Sequence, residues 1–207
     1  MMSSKIRTIT FAMLLTLLMS GSKEAHGQVF WLGLNGGATH SWFTSPKADN
    51  LVTASGWGWN LGFFARYGKR PFYQVGVYWT RAQTDMKYFL TESFVIEDQV
   101  PFNNFDIIVK AGYEIIRRPI FKWHVNAGPF IGTSFLFSTN VFEIENDDMK
   151  NPQFGFNAGT GVQFMNFIFD VYYQYHMTEL FIGDETDLGI EFGSHLQHIT
   201  FKVGLIF

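Results

Sequence analysis

The segment His195-Leu196-Gln197-His198-Ile199-Thr200-Phe201-Lys202-Val203-Gly204-Leu205-Ile206-Phe207 decides the fold. Reading back from its end, Phe207, Leu205, Val203, Phe201 and Ile199 are apolar, and Ile206, Gly204, Lys202, Thr200 and His198 stand between them. Successive side chains of a strand point to opposite faces, so one face here is apolar and the other mostly small, polar or charged. The alternation holds over about ten positions, the length a tilted strand needs to cross a bilayer, whereas strands of soluble proteins usually run about five or six.

The same period recurs upstream. Phe30, Leu32 and Leu34 alternate with Trp31, Gly33, Asn35 and Gly37 in a first strand from Val29 to Thr39. Between Gly56 and Arg66, Trp57, Trp59, Leu61 and Phe63 oppose Gly58, Asn60, Gly62, Phe64 and Arg66. Further strands are expected over Tyr73–Thr80, Phe105–Glu114, Trp123–Gly132, Phe154–Phe164 and Phe167–His176. Pro129 demands a local irregularity or an unpaired position, because it has no N–H to give a ladder. Short turns at Gly68-Lys69-Arg70-Pro71, Arg117-Arg118-Pro119 and Met165-Asn166 alternate with long connections, among them Arg81–Pro101 and acidic stretches at Glu143–Asn151 and Glu179–Glu191. About eight strands with alternating short and long connections predict an all-β, up-and-down antiparallel transmembrane barrel, its short turns on the periplasmic side and its long loops outside.

Composition agrees. Charged residues make up 16% and aromatics 18% of the chain, against roughly 25% charged in an ordinary soluble domain. Yet nothing after residue 27 approaches the roughly 18 consecutive apolar residues of a membrane helix. A membrane spanned by strands requires them to close, since open edges leave unsatisfied backbone groups in hydrocarbon. At the start, Lys5 and Arg7 precede an uncharged run from Ile9 to Met19 and the small-residue site Ala25-His26-Gly27, which predicts a cleaved secretory signal over residues 1–27 and one barrel domain over 28–207. The absence of cysteine excludes disulfides and thiolate metal sites, and a net charge of −3 gives no footprint for nucleic acid.

A soluble barrel would also alternate, but with its polar face in water and rich in Lys, Glu and Thr. Here the polar face is mostly Gly, Asn and Gln, which suits a narrow, filled lumen. Its charged members, Arg66, Lys110 and Lys202 against Asp106, Glu114 and Asp170, balance in sign and predict an internal network of salt bridges and amides rather than a pore. On the other face Trp57, Trp59, Tyr73, Trp79, Tyr113, Trp123, Tyr173 and Tyr175 are candidates for the aromatic girdles at the two lipid interfaces.

Little in the chain points to chemistry. Ser194, His195 and Glu191 are the nearest approach to an esterase set, but adjacent strand residues diverge, so a rim histidine is the plainer reading and a lipid hydrolase of the lipid A deacylase kind the alternative. His124, His176 and His198 share the inward parity and read as lumen filling. Carboxylates in the acidic loops lack calcium-loop spacing. No catalytic residue, cofactor or metal ligand is assigned.

Four stretches resemble the PorT-like outer-membrane β-barrel proteins of Bacteroidetes: Gly33-Leu34-Asn35-Gly36-Gly37, Phe105-Asp106-Ile107-Ile108-Val109-Lys110, Asn126-Ala127-Gly128-Pro129-Phe130-Ile131-Gly132 and Phe154-Gly155-Phe156-Asn157-Ala158-Gly159-Thr160-Gly161-Val162. Ile108 departs from the family's common proline. The resemblance implies an integral protein of a Gram-negative outer membrane with both termini periplasmic and an accessory role in type IX protein secretion. It also implies lipopolysaccharide and other membrane lipid, the barrel assembly machinery and secretion components as partners. Outer-membrane barrels are similar, too, in ending on an aromatic residue read during assembly, the place Phe207 occupies. Ligand binding or adhesion through the loops is the other non-enzymatic expectation.

Overall fold

A computed structural model describes residues 30–44, 51–91, 94–136, 149–180 and 195–207, with the backbone alone for 51–54, 83–91 and 94–100. The leader with its cleavage site, Ser194, Glu191 and most of the acidic loop residues lie outside the described residues.

Eight strands follow in order: β1 (Phe30–Thr44), β2 (Leu51–Gly68), β3 (Phe72–Thr91), β4 (Phe94–Arg117), β5 (Phe121–Phe135), β6 (Gln153–Phe164), β7 (Phe167–His176) and β8 (His195–Ile206). Each pairs with its sequence neighbours, and β8 pairs antiparallel with β1, so the sheet is a closed barrel. Leu32 and Phe207 exchange both backbone hydrogen bonds at 2.8 Å, which carries the closure through to the last residue. Following paired residues around the barrel from Phe30 through Tyr67, Tyr73, Ala111, Ala127, Ala158, Tyr173 and Ile199 returns to β1 at His40, a stagger of ten residues. Closure with that stagger tilts the strands by roughly 40°.

The expected short turns are present. β2 and β3, and β4 and β5, are joined through residues 69–71 and 118–120, while Met165 and Asn166 alone reverse the chain between β6 and β7, with Met165 at φ 55°. The described chain begins and ends at the same end of the barrel as these turns. Arg81–Pro101, expected as a long connection, is mostly strand: β3 and β4 continue as a paired ladder as far as Thr91 and Phe94. Polar and charged residues interrupt the period-two pattern of that sequence, while β3 and β4 template one another. Pairing between β4 and β5 is interrupted opposite Gly128 and Pro129, as the missing N–H requires.

Parity sorts the side chains. Leu61, Phe63, Val75, Val77, Ile107, Val109, Val125, Phe156, Phe169 and Val203 are exposed on the outside, whereas Asn35, Asn60, Gln74, Asp106, Asn126, Asn157 and Gln174 are buried within. An exterior of this kind is stable against hydrocarbon and not against water. The interior is packed by a repeated device. Phe64, Phe72, Tyr78, Phe130 and Tyr172 each lie directly across a strand boundary from a glycine: Gly33, Gly112, Gly62, Gly155 and Gly159 respectively. A Cβ built on Gly62 would come 2.2 Å from the Tyr78 ring, and one on Gly112 the same distance from Phe72. The rings therefore occupy the space that the missing side chains leave.

Gly62→Val is expected to destabilise the barrel by about 1–3 kcal/mol through overpacking against Tyr78, read as a lower urea midpoint in detergent. Gly36→Val, on the lipid face, is expected to cost far less; equal costs would refute the ring-and-glycine packing.

Candidate functional site

All six charges expected on the inner face are there, at 1–5% exposure. β2 supplies Arg66, β4 Asp106, Lys110 and Glu114, β7 Asp170, and β8 Lys202. They do not pair with one another as salt bridges. Lys110 Nζ sits 3.8 Å from the centroid of the Tyr172 ring and 5.5 Å from that of Tyr78, and Lys202 Nζ 3.9 Å from Tyr78 and 5.1 Å from Tyr172. Two lysines thus share two tyrosine faces at the middle of the barrel, and Lys110 Nζ makes no hydrogen bond to protein. A ring face attracts a cation through its quadrupole, most strongly where water is excluded.

The remaining charges find other partners. Arg66 donates through Nε and Nη2 to Gln74 Oε1 at 3.1 and 3.0 Å and lies 4.3 Å from the Phe72 ring centroid. Gln74 in turn donates to the Tyr78 hydroxyl at 3.2 Å, and Asn126 donates to the Tyr172 hydroxyl at the same distance. Asp106 accepts from Gln174 Nε2 at 2.9 Å. Asp170 Oδ1 lies 3.1 Å from His124 Nε2, a contact poorly aligned for a hydrogen bond. Glu114 meets Arg117 at 3.4 Å at the short-turn end. The salt-bridge network read from charge balance is therefore a network of amides and aromatic faces: parity gives the face a residue occupies, but only the stagger of the closed barrel says which residues share a level. Gln74, Tyr78, Asn126, Tyr172 and Gln174 carry the same inward parity, and that was the signal available for them.

Towards the other end, His198 contacts Ser41 Oγ at 2.8 Å and Asn104 Nδ2 at 3.3 Å, and its ring centroid is 5.1 Å from that of His176. His124 lies elsewhere, edge-on to Phe72. Among the described residues no three His, Asp or Glu side chains converge as metal ligands. Above the histidines Phe43, Phe102, Leu180, Leu196 and Met149 are buried and close the lumen. One cavity inside, beside Arg66, Glu114 and Gln163, measures about 10 Å³, room for about one water. A trough of about 660 Å³ lies outside, over Gly36 between Leu34, Leu61, Phe63, Val203 and Leu205, where hydrocarbon would fill it.

The outward aromatics form two tiers. Tyr73, Trp123 and Tyr113 lie near the short turns together with Tyr67, which sequence reading passed over. Trp57, Trp59, Trp79, Tyr173 and Tyr175 lie near the other end together with Trp42. Trp59 and Trp79 meet edge to face at 4.9 Å. From Tyr67 to Trp57 along β2 is roughly 33 Å, or about 25 Å once the tilt is projected out, matching the apolar band of a membrane barrel. His195 faces outward at this upper tier, half-buried, its ring 5.7 Å from that of Tyr175.

No family model and no curated protein matches the chain. Among solved structures it is similar to the outer membrane protein OprG from Pseudomonas aeruginosa, at 13% identity over 87% of this chain and 97% of that one, TM-score 0.52. Neisserial surface protein A matches at 16% identity over 86% of this chain and 97% of that one, TM-score 0.47. Ail, the attachment invasion locus protein of Yersinia pestis, matches at 16% over 87% and 100%, TM-score 0.45. The likeness to OprG is one of fold, the closed transmembrane β-barrel.

Tyr172→Phe, which removes only the hydroxyl bonded to Asn126, is expected to cost about 1 kcal/mol. Tyr172→Leu also strips a face from both lysines and is expected to cost at least about 2 kcal/mol more. Equilibrium unfolding in lipid or detergent compares them, and equal losses would refute the aromatic role.

Proposed function

We propose that this chain is an integral outer-membrane protein of a Gram-negative bacterium, non-enzymatic, whose barrel is a sealed platform rather than a pore. Its role is structural or accessory, and the PorT resemblance suggests protein export through the type IX system as the setting. What supports the sealed reading is the lumen, filled at mid-height by Tyr78, Tyr172, Lys110 and Lys202 and closed above by Phe102 and Leu180. A barrel of eight strands has just enough interior for side chains. With transport through the middle removed, contacts at the two ends and along the lipid face remain. Membrane lipid, lipopolysaccharide, the assembly machinery during insertion and secretion components are the partners this reading names.

A second reading, ligand binding or adhesion outside the membrane, draws support from the β3–β4 ladder, which continues from Arg81 and Asn103 to Thr91 and Phe94 beyond the upper aromatic tier. β2 covers the β3 edge of this extension as far as Tyr88, and among the described residues the β4 edge before Asn103 offers backbone groups to a partner.

In planar bilayers the purified protein is expected to show no stepwise conductance, while the double variant Tyr78→Ala, Tyr172→Ala conducts. Steady conductance by the unaltered chain would overturn the platform. Affinity purification from the native envelope checks the setting. Recovery of secretion components supports the accessory role, and their absence together with retained surface binding that is lost on trimming residues 84–98 transfers the case to the second reading.

A further inference from the structure

The short turns carry a charge pattern unlike the rest of the molecule. Lys69, Arg70, Arg117 and Arg118 lie in or beside two of them, and none of the three turns contains Asp or Glu. The turns at 69–71 and 118–120 are neighbours because β3 and β4 pair between them. Arg70 joins them physically: its Nη2 donates to the carbonyl oxygen of Ile115 at 2.8 Å, and its guanidinium lies 5.1 Å from the centroid of the Tyr113 ring. That holds one arginine over the end of β4, two residues before Arg117 and three before Arg118. Arg117 is partly balanced by Glu114 at 3.4 Å, while Arg118, Lys69 and Arg70 are exposed.

Directly beside these cations the surface is apolar. β4 carries a bulge between Glu114 and Ile116, and the extra residue leaves Ile115 and Ile116 both exposed on the barrel wall. Ile120 and Met165 add to the patch, at 59% exposure each, and the two turns that bear them are tied by the Met165 N–H to the Ile120 carbonyl at 2.9 Å. Tyr67, Tyr73 and Tyr113 set the level of the interface. Exposed isoleucines below arginines at that level match one kind of partner, an acyl chain continuous with an anionic headgroup.

We propose that the β2–β3 and β4–β5 turns form a binding site for an anionic glycerophospholipid, its phosphate held by Arg70, Arg117 and Arg118 with Lys69 at the edge, its acyl chains along Ile115, Ile116 and Ile120. Guanidinium groups suit this task because their planar fork meets two phosphate oxygens at once, and a zwitterionic headgroup would bring an ammonium into the same cluster. The site rests on the membrane-spanning reading and adds to it a lipid class and an end of the barrel.

Nanodiscs of equal parts phosphatidylglycerol and phosphatidylethanolamine, followed by native mass spectrometry of the released protein, test it. The unaltered chain is expected to retain phosphatidylglycerol at least about fivefold over phosphatidylethanolamine, the effect of a single well-placed cation near a surface. Arg70→Gln, Arg117→Gln, Arg118→Gln together should abolish the preference, the corresponding lysine substitutions should keep part of it, and Lys150→Gln at the opposite end should leave it intact. A preference unchanged by the three glutamines, or lost equally in Lys150→Gln, overturns the proposal. Insertion is scored separately by gel mobility before and after heating. A chain that fails to insert into neutral lipid counts against the membrane reading, whereas one that inserts and shows no lipid preference counts against this site alone.

Discussion

The interior of an eight-stranded barrel is so narrow that a bulky ring fits at a given level only where a neighbouring strand leaves room for it. Everything else in this molecule is arranged around that limit. The rings of Phe64, Phe72, Tyr78, Phe130 and Tyr172 fill the lumen, and each faces a glycine on the adjacent strand. Two of the inward carboxylates obey the same rule, with Asp106 opposite Gly132 and Asp170 opposite Gly161, whereas Glu114 stands opposite His124. A slip of one residue would turn a strand's polar set into hydrocarbon, and a slip of two between β2 and β3 would set Phe64 against Tyr78. Packing and polarity therefore select the same register.

Filling a lumen with charge is costly unless each charge is met. Lys202 does stand directly across from Asp170 in the β7–β8 register, yet among the described residues neither lysine forms a salt bridge with a carboxylate. Lys110 and Lys202 instead rest near the rings of Tyr172 and Tyr78, whose quadrupoles attract both cations and offset part of their mutual repulsion. The hydroxyls of the same tyrosines accept from Gln74 and Asn126, and Gln74 also accepts from Arg66. Gln74 therefore connects the guanidinium to the Tyr78 ring, and Asn126 separately anchors the Tyr172 ring. Contacts of this kind, with the two lysines, fix side-chain positions across six strands and stiffen the barrel without disulfides.

Period two made the strand number, the lipid face and the identity of the inward charges legible in the chain, because alternation is a property of each strand alone. Lys202 and Phe201 are assigned to opposite faces by their neighbours and need no partner strand to be so read. The partners were not legible. That Tyr172 lies beneath Lys110 depends on the stagger summed over the strands between β4 and β7, and no single strand carries that quantity. The aromatic tiers were half visible: Trp57 and Tyr73 stand in clean alternation, whereas Tyr67 and Trp42 fall near strand ends, where turn residues break the pattern. β3 and β4 past Trp79 were hidden for a different reason. In water both faces of a strand tolerate polar residues, so Arg81–Pro101 lost the signature that the membrane imposes.

The lumen charges cancel among themselves, so the electrostatic field that reaches beyond the barrel comes from its ends. At one end the turns hold Lys69, Arg70, Arg117 and Arg118 and no carboxylate, and the opposite connections contain Glu143, Glu145, Asp147, Asp148, Asp184, Glu185 and Asp187. In salt each field decays within about 8–10 Å, so a partner senses only the end it approaches. On the platform reading such a barrel sorts no solutes by passage, and the cations of the short turns are what an anionic neighbour would meet at that end. On the same reading, the selectivity that a porin builds into its channel would lie instead at the rim of the short turns.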